Sequence, residues 1–544
     1  MDVSELPGQY PSGSVSLQLP RSIHSLATDN MLDGTPYEVW RSIESLQQSH
    51  PNLGAMLQES PRYSLLCRAV KALLSAWDYM LGTLQNGGGG CLDVIDLIDQ
   101  VDEPRRERLL SIVLTKTSRG WFPYYITHIG IYVGRFGAEY RDKLVSAVLA
   151  LEDDGGRARA IARLAHGLSH LTRAQRTAMM DAALAFEDEY AKGGAIAGFG
   201  HGLECLDPVE CDSIIAAVAA MDDDGAELAI AGLVVGFEHL SPEQRSVLFS
   251  HTMDLADLCR ARVLLVLGGK WEYLTPAQRD MLLQAPGNVA DDMDISSIIV
   301  GIVRNMRDLG ELQKAELFDK GAAIGGGWHQ ARIMQALGSQ LEHLSVTQRT
   351  RLVNIALENL PWMRGQIIAG IAPGFSVLDQ SQRDAIVDVA LRLDDTVAQL
   401  AAITGLATAL CHLGANQQSS IVDAALSLLD QPSGPPTLGM LCRNARHLGP
   451  TLRTRLFSSV LDITDVGRKA KALADMGPFY PYLGPEQQST LVDTALHMLM
   501  SGMSDDSAYL LAGPLYFLLD ATGCIHLDSI NGSELLTRSP VISW

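Results

Sequence analysis

The chain has 544 residues, of which 47% are hydrophobic and 19% charged, and its net charge is −21. That composition excludes a disordered polypeptide, and the length exceeds one ordinary core unless the fold is elongated. The charge excludes a broad nucleic-acid binder, because Lys and Arg gather only in short pairs such as Arg105-Arg106, without the basic footprint that a phosphate backbone requires.

An acidic surface suits a protein partner with basic patches and disfavours anionic membranes. No apolar run is long enough for membrane insertion. The eight cysteines (67, 91, 205, 211, 259, 411, 442 and 524) show no paired framework and no CxxC. They predict a reducing destination and small core residues.

In chain order, residues 1–30 are rich in Ser, Pro, Gln and Gly. They lack the basic and apolar segments of a cleaved signal, so they predict a disordered leader. Residues 31–100 predict an N-terminal helical capping region with a glycine-rich joint at 87–90. No Lys-Ser/Thr follows those glycines, so a hinge is expected rather than a phosphate loop. Residues 101–500 carry a repeat, and 501–544 predict a degenerate C-terminal cap.

The repeat is anchored on Leu171, Leu206, Leu240, Leu274, Leu309, Leu344, Leu378, Leu413, Leu448 and Leu483, in steps of 34 or 35 residues. Phe136 and Val101 keep the phase upstream. A fixed period of this size marks a solenoid. Each unit has an apolar first half at helical spacing, as in "AIAGLVVGFEHL", and a second half such as "QRTRLVNIALEN". Two helices with two tight turns fill the period. The fold class is therefore an all-α solenoid of two-helix repeats, HEAT-like, with about twelve units by the same period. Glycines recur eight positions before the anchor (198, 232, 301, 370, 405) and four before it (167, 202, 236, 374). Such positions share a helix face, so they predict close packing of first helices.

The segment "HLSPEQR" (239–245) holds the joint. Ser241 and Gln244 have capping-box spacing, with Pro242 at the first helical position. Thr275 with Gln278, Thr172 with Gln175, Ser345 with Gln348 and Asp379 with Gln382 repeat it. His170, His239, His343, His412 and His447 end the first helices. Imidazolium suits a helix C-terminus, so these predict carbonyl capping. Stacked equivalents lie about 10 Å apart, too far for a shared metal ion. Arg176, Arg245, Arg279, Arg349 and Arg383 follow the box, where a cation gains nothing from the helix dipole. Two roles are open for them. One is a bond to an acid or a helix-end carbonyl of the neighbouring unit. The other is a one-sided ladder that receives an acidic segment or phosphates.

Three aromatic breaks interrupt the pattern, at 121–125, around Trp328, and at 479–482. Tyr124, Trp328 and Tyr480 are candidate contact anchors if exposed and core residues if not. Cys524 and His526 lie close in sequence but define no catalytic pair. No zinc-protease, serine-hydrolase or kinase signature is present. No catalytic residue, metal or cofactor is expected, and an enzyme with catalytic residues dispersed across a groove is the alternative.

The Ser/Pro-rich leader followed by a Leu/Ala-rich repeat body resembles type III secreted effectors of plant-associated bacterial pathogens that carry HEAT- or armadillo-like arrays. The resemblance implies an interaction scaffold that binds host regulatory proteins, with a secretion chaperone at its N-terminus and delivery into a host cell. An internal bacterial scaffold is the other reading. It transfers no functional residue.

Overall fold

The computed structural model describes residues 103–115, 122–325, 327–428, 434–465 and 476–500, with isolated positions outside these runs. The leader, the glycine joint at 87–90, residues 501–544 with Cys524 and His526, and the side chain of Tyr124 lie outside the described residues. The repeats belong to one compact unit, residues 71–518. The other unit lies wholly outside the described residues.

Among the described residues every regular element is helical. Each unit takes the name of its anchor. In the Leu240 unit the first helix is Asp223–Leu233, a 3-10 turn covers Val234–His239, and the second helix is Pro242–Asp254. The Leu309 unit runs Asp292–Val303, Met306–Asp308 and Glu311–Ala323. The Leu344 unit runs Trp328–Gly338, Leu341–His343 and Val346–Glu358. The Leu378 unit runs Pro361–Ile371, Ala372–Val377 and Gln380–Leu391. Successive first helices pack against one another as one layer, and the second helices form the other. This is an all-α solenoid.

The anchor leucine leaves the 3-10 turn in extended conformation, as at Leu240 (φ −83°, ψ 149°), and is buried. Three positions before it the chain inserts another core side chain. Leu168, Leu203, Phe237, Trp271, Met306, Leu341, Phe375 and Leu410 fill that place and are all buried. Burying such a side chain stabilises by about 1.5–3 kcal/mol. The core is thus continuous between the layers and repeats unit by unit.

The glycines eight before the anchor let backbones touch. A Cβ on Gly198 would overlap the Ala162 backbone, and one on Gly370 the Gln335 backbone. The glycines four before the anchor differ from expectation. They lie outside the first helix, where it turns into the 3-10 segment: Gly202 has φ −129° and Gly236 has φ −100°. Lys270 takes the same place with φ −117°, so the backbone does not demand glycine there. Space does: a Cβ on Gly202 would overlap the Leu168 side chain.

Gly370→Val is expected to lower stability by about 1–3 kcal/mol through overpacking. Gly414 is an N-cap at φ −71°, ψ 158° whose amide already donates to Gln417 Oε1. Gly414→Ser would complete that box and is expected to raise stability by a few tenths of a kcal/mol. Denaturation midpoints check both, and an unchanged midpoint for Gly370→Val contradicts the close approach.

Candidate functional site

The joint after the anchor is a recurring hydrogen-bond network, in which the buried Nε atoms of Arg176, Arg245 and Arg383 make no hydrogen bond. Ser241 Oγ accepts from the Gln244 amide at 3.2 Å, and Gln244 Oε1 accepts from the Ser241 amide at 2.8 Å. Thr172 with Gln175, Thr275 with Gln278, Ser345 with Gln348 and Asp379 with Gln382 form the same box. The remaining amide of the glutamine reaches the preceding unit. Gln244 Nε2 donates to Asp212 Oδ1 at 2.8 Å, Gln382 Nε2 to Thr350 Oγ1 at 3.3 Å, and Gln417 Nε2 to Asp384 Oδ1 at 2.8 Å. Each acceptor stands two places after the box position of its own unit. That ladder was not anticipated, although its signal, an Asp, Ser or Thr after the box arginine, recurs in the sequence.

The arginines close carbonyl ends. Arg176 Nη1 donates to the Leu171 carbonyl at 2.7 Å, and Arg279 Nε to the Trp271 carbonyl at 3.0 Å. Arg349 Nε donates to the Leu344 carbonyl at 3.1 Å and its Nη1 to the Val377 carbonyl of the next unit at 2.9 Å. The targets lie mainly in the arginine's own unit rather than the neighbouring one. Arg245 stacks over the Tyr273 ring. Arg383 lies near Asp379, whose carboxyl is held below the usual range first by the Gln382 amide and then by Ser381, with a smaller effect from Arg383. All five arginines are half-buried.

His170, His239, His343 and His412 end the 3-10 turns. The side-chain bonds to carbonyl ends come from arginine rather than from these histidines. His239 Nε2 instead faces Glu204 at 3.8 Å, and His343 Nε2 faces Glu342 at 3.3 Å. The reason is reach: an arginine in the first turn of the following helix spans the joint, with five donors in a fixed fork.

Register sorts the aromatic candidates. Tyr480 stands three before Leu483, the core position, and is buried, so it is no contact anchor. Trp328 stands sixteen before its anchor and is 46% exposed. Tyr190, Leu258, Trp362 and Val397 hold the same place in other units and are exposed as well. This apolar row on the solvent face of the first helices was missed, because its identity changes from unit to unit. Beside it a shallow groove of about 430 Å³ is lined by Val300, Arg332, Gln335, Ser339, Ala369 and Pro373.

The described thiols offer no activated nucleophile among those with a resolved shift. Burial pushes the Cys211 thiol up to about 11 and, with Glu227 and Asp224 beside it, the Cys259 thiol up to about 12. Cys259 Sγ donates to Asp224 Oδ1 at 3.7 Å. Asp224, Glu227 and Cys259 are the group among the described residues whose metal-ligating atoms converge, within 4.8 Å of one another. Glu227 already pairs with Arg262 at 3.2 Å.

No family model matches the chain. No curated protein matches it either. Among solved structures it is similar to importin beta crystallised in an ammonium sulfate condition, with TM-score 0.40 and 12% identity, over 86% of this chain and 67% of that one. It is also similar to a mutant of Kap121p, with TM-score 0.38 and 12% identity, over 90% of this chain and 56% of that one. Kap121p bound to Nup53p gives TM-score 0.35 and 12% identity, over 76% of this chain and 49% of that one. The chain thus spans about half the length of the Kap121p structures.

On the first-helix face, His166 and His201 stack with ring centroids 3.7 Å apart. Burial first, then His201 and Arg163, push the His166 imidazole down to about 3. The folded state therefore favours the neutral ring. Its contribution to stability is present above the ordinary value of 6.5 and is lost as pH falls from there through about 3.

Arg349→Ala is expected to cost about 1.5–3 kcal/mol, as for charge-assisted bonds to carbonyls. Arg349→Gln should retain most of that, because Gln418 Nε2 already donates to the Leu410 and Leu413 carbonyls. Equal stability of wild type and Arg349→Ala, by denaturant titration, would exclude the capping role. In a separate measurement, the NMR titration of the His166 ring should show a midpoint far below that of an exposed histidine. A midpoint at or above 6.5 contradicts the neutral stack.

Proposed function

We propose that the chain is a protein-binding scaffold that acts through the solvent face of its first helices. The observation that carries this reading is the exposed row of Tyr190, Leu258, Trp328, Trp362 and Val397 at one register position, interrupted by Asp224 and the half-buried Met293 and unbroken from Trp328 to Val397. Exposed tryptophans spaced by packed helices, about 10 Å apart, suit an extended contact with a partner polypeptide. Three of the five box arginines, Arg176, Arg279 and Arg349, are engaged with backbone carbonyls, which directs attention away from them and toward this row.

We further propose that the scaffold is a type III secreted effector that binds host regulatory proteins. The support is the Ser/Pro-rich leader at 1–30 ahead of a helical-repeat body. Fusing residues 1–50 to a reporter tests delivery, and a reporter that stays in the bacterium counts against it.

The binding face is tested by affinity capture from a host extract with wild type and with Trp328→Ala/Trp362→Ala. The variant is expected to lose partners that the wild type retains. Identical partner sets would remove this face from the function.

A further inference from the structure

The face between the Leu309 and Leu378 units reverses the charge of the molecule. The whole chain has 63 acids against 42 Lys and Arg. The first helices Trp328–Gly338 and Pro361–Ile371 contain no acid at all. The first helix Asp292–Val303 keeps both of its acids in the first turn, at Asp292 and Asp294, away from the groove.

Two cations stand on the part of that surface that these helices leave without acids. Arg332, on the first helix of the Leu344 unit, lines the groove. Arg304 ends the first helix of the preceding Leu309 unit and is exposed. Arg332 Nη1 donates to Ser297 Oγ at 3.2 Å, and its guanidinium lies over the Trp328 ring, 5.5 Å from the centroid. Neither arginine pairs with a carboxylate among the described residues, whereas Arg262, at the Arg332 position of the Leu274 unit, meets Glu227. Burial, and then Arg304, lower the Arg332 guanidinium from its ordinary value. The opposite charge of a bound anion would act against both effects.

The rest of the lining is chemically matched to a peptide. Gln335 and Ser339 are exposed and offer neutral donors and acceptors. Trp328 and Trp362, 46% and 38% exposed, stand on the same face one unit apart. Tryptophan and arginine together are the residue types that dominate binding energy at protein interfaces. Arginine also matches a carboxylate bidentately.

We infer that this face docks an acidic peptide segment of a partner protein, with a carboxylate seated between Arg304 and Arg332 and a neighbouring apolar side chain against Trp328 and Trp362. The inference rests on the scaffold reading and specifies its partner. The net charge of −21 favours basic partners for the surface at large, and this patch selects the opposite sign locally. Long-range repulsion of an acidic segment falls off over about 8 Å at physiological salt, while contacts within the groove are screened less.

The test is a binding titration on the full chain with three labelled twelve-residue peptides. One alternates Asp and Glu with Leu and Phe, one replaces the acids by Asn and Gln, and one replaces them by Lys. The acidic peptide is expected to bind about 10-fold or more tightly than the Asn/Gln peptide, the ratio that a single charge-assisted contact yields. Arg304→Ala/Arg332→Ala should abolish that preference, and Arg304→Lys/Arg332→Lys should retain part of it, with thermal melts checking that both variants fold. Equal binding of the acidic and neutral peptides overturns the charge assignment while leaving the apolar row as a binding face. Preference for the Lys peptide, or no binding of any peptide, overturns the inference. Tighter binding of a single-stranded oligonucleotide than of the acidic peptide overturns it in favour of a general polyanion site.

Discussion

A helix that stops leaves four carbonyls without intrahelical partners, and the next one starts with four free amides. A chain that reverses twice in every 34 or 35 residues meets this problem at every turn. The joints resolve it with one local arrangement. The box engages the N-cap amide and the amide three residues on, and a long donor in the first turn engages one or two of the ending carbonyls. Arg157 to Leu151, Arg260 to Leu255 and Gln399 to Leu391 do at the other joint what Arg176 and Arg279 do at the anchor. The two joints thus share one solution with different residues.

The two helix layers are held together differently. First helices meet backbone to backbone at glycine and alanine, as Gly198 does with Ala162 and Gly405 with Ala369. Packing of that kind is intolerant of added volume. Second helices are joined by polar bonds from the box glutamine to the unit before it, as from Gln244 to Asp212. These contacts are more adaptable, because a Ser, Thr or Asp accepts equally well. The rigid layer also presents the exposed row with Trp328 and Trp362, so the side chains offered to a partner stand on the better-fixed elements.

Much of this was legible in the sequence because the governing interactions are short-range. Ser241 and Gln244 are three residues apart, and anchor burial follows from periodicity alone. What was not legible depends on direction. Arg349 could have reached an acid, a neighbouring carbonyl or a ligand, and only side-chain placement puts it on Leu344 and Val377. Tyr480 and Trp328 look alike as aromatic breaks, yet their distances from the anchor put one in the core and the other in solvent. The pairing state of Arg332 needs the neighbouring helix, since Arg262 occupies the equivalent place beside Glu227.

The box glutamine has a consequence for how such a chain can change in length. At Gln244, Gln382 and Gln417 its oxygen serves its own helix and its nitrogen serves the preceding one, so these seams are completed by residues of adjoining units alone. Removing or duplicating one whole period joins a glutamine to another unit's acceptor wherever that position holds Asp, Ser or Thr, as at Asp212, Thr350 and Asp384, whereas Ala315 in the Leu309 unit offers none. A shift by any other length misplaces the anchor, the box and the ladder together. A whole period is therefore the change in length that disturbs these seams least.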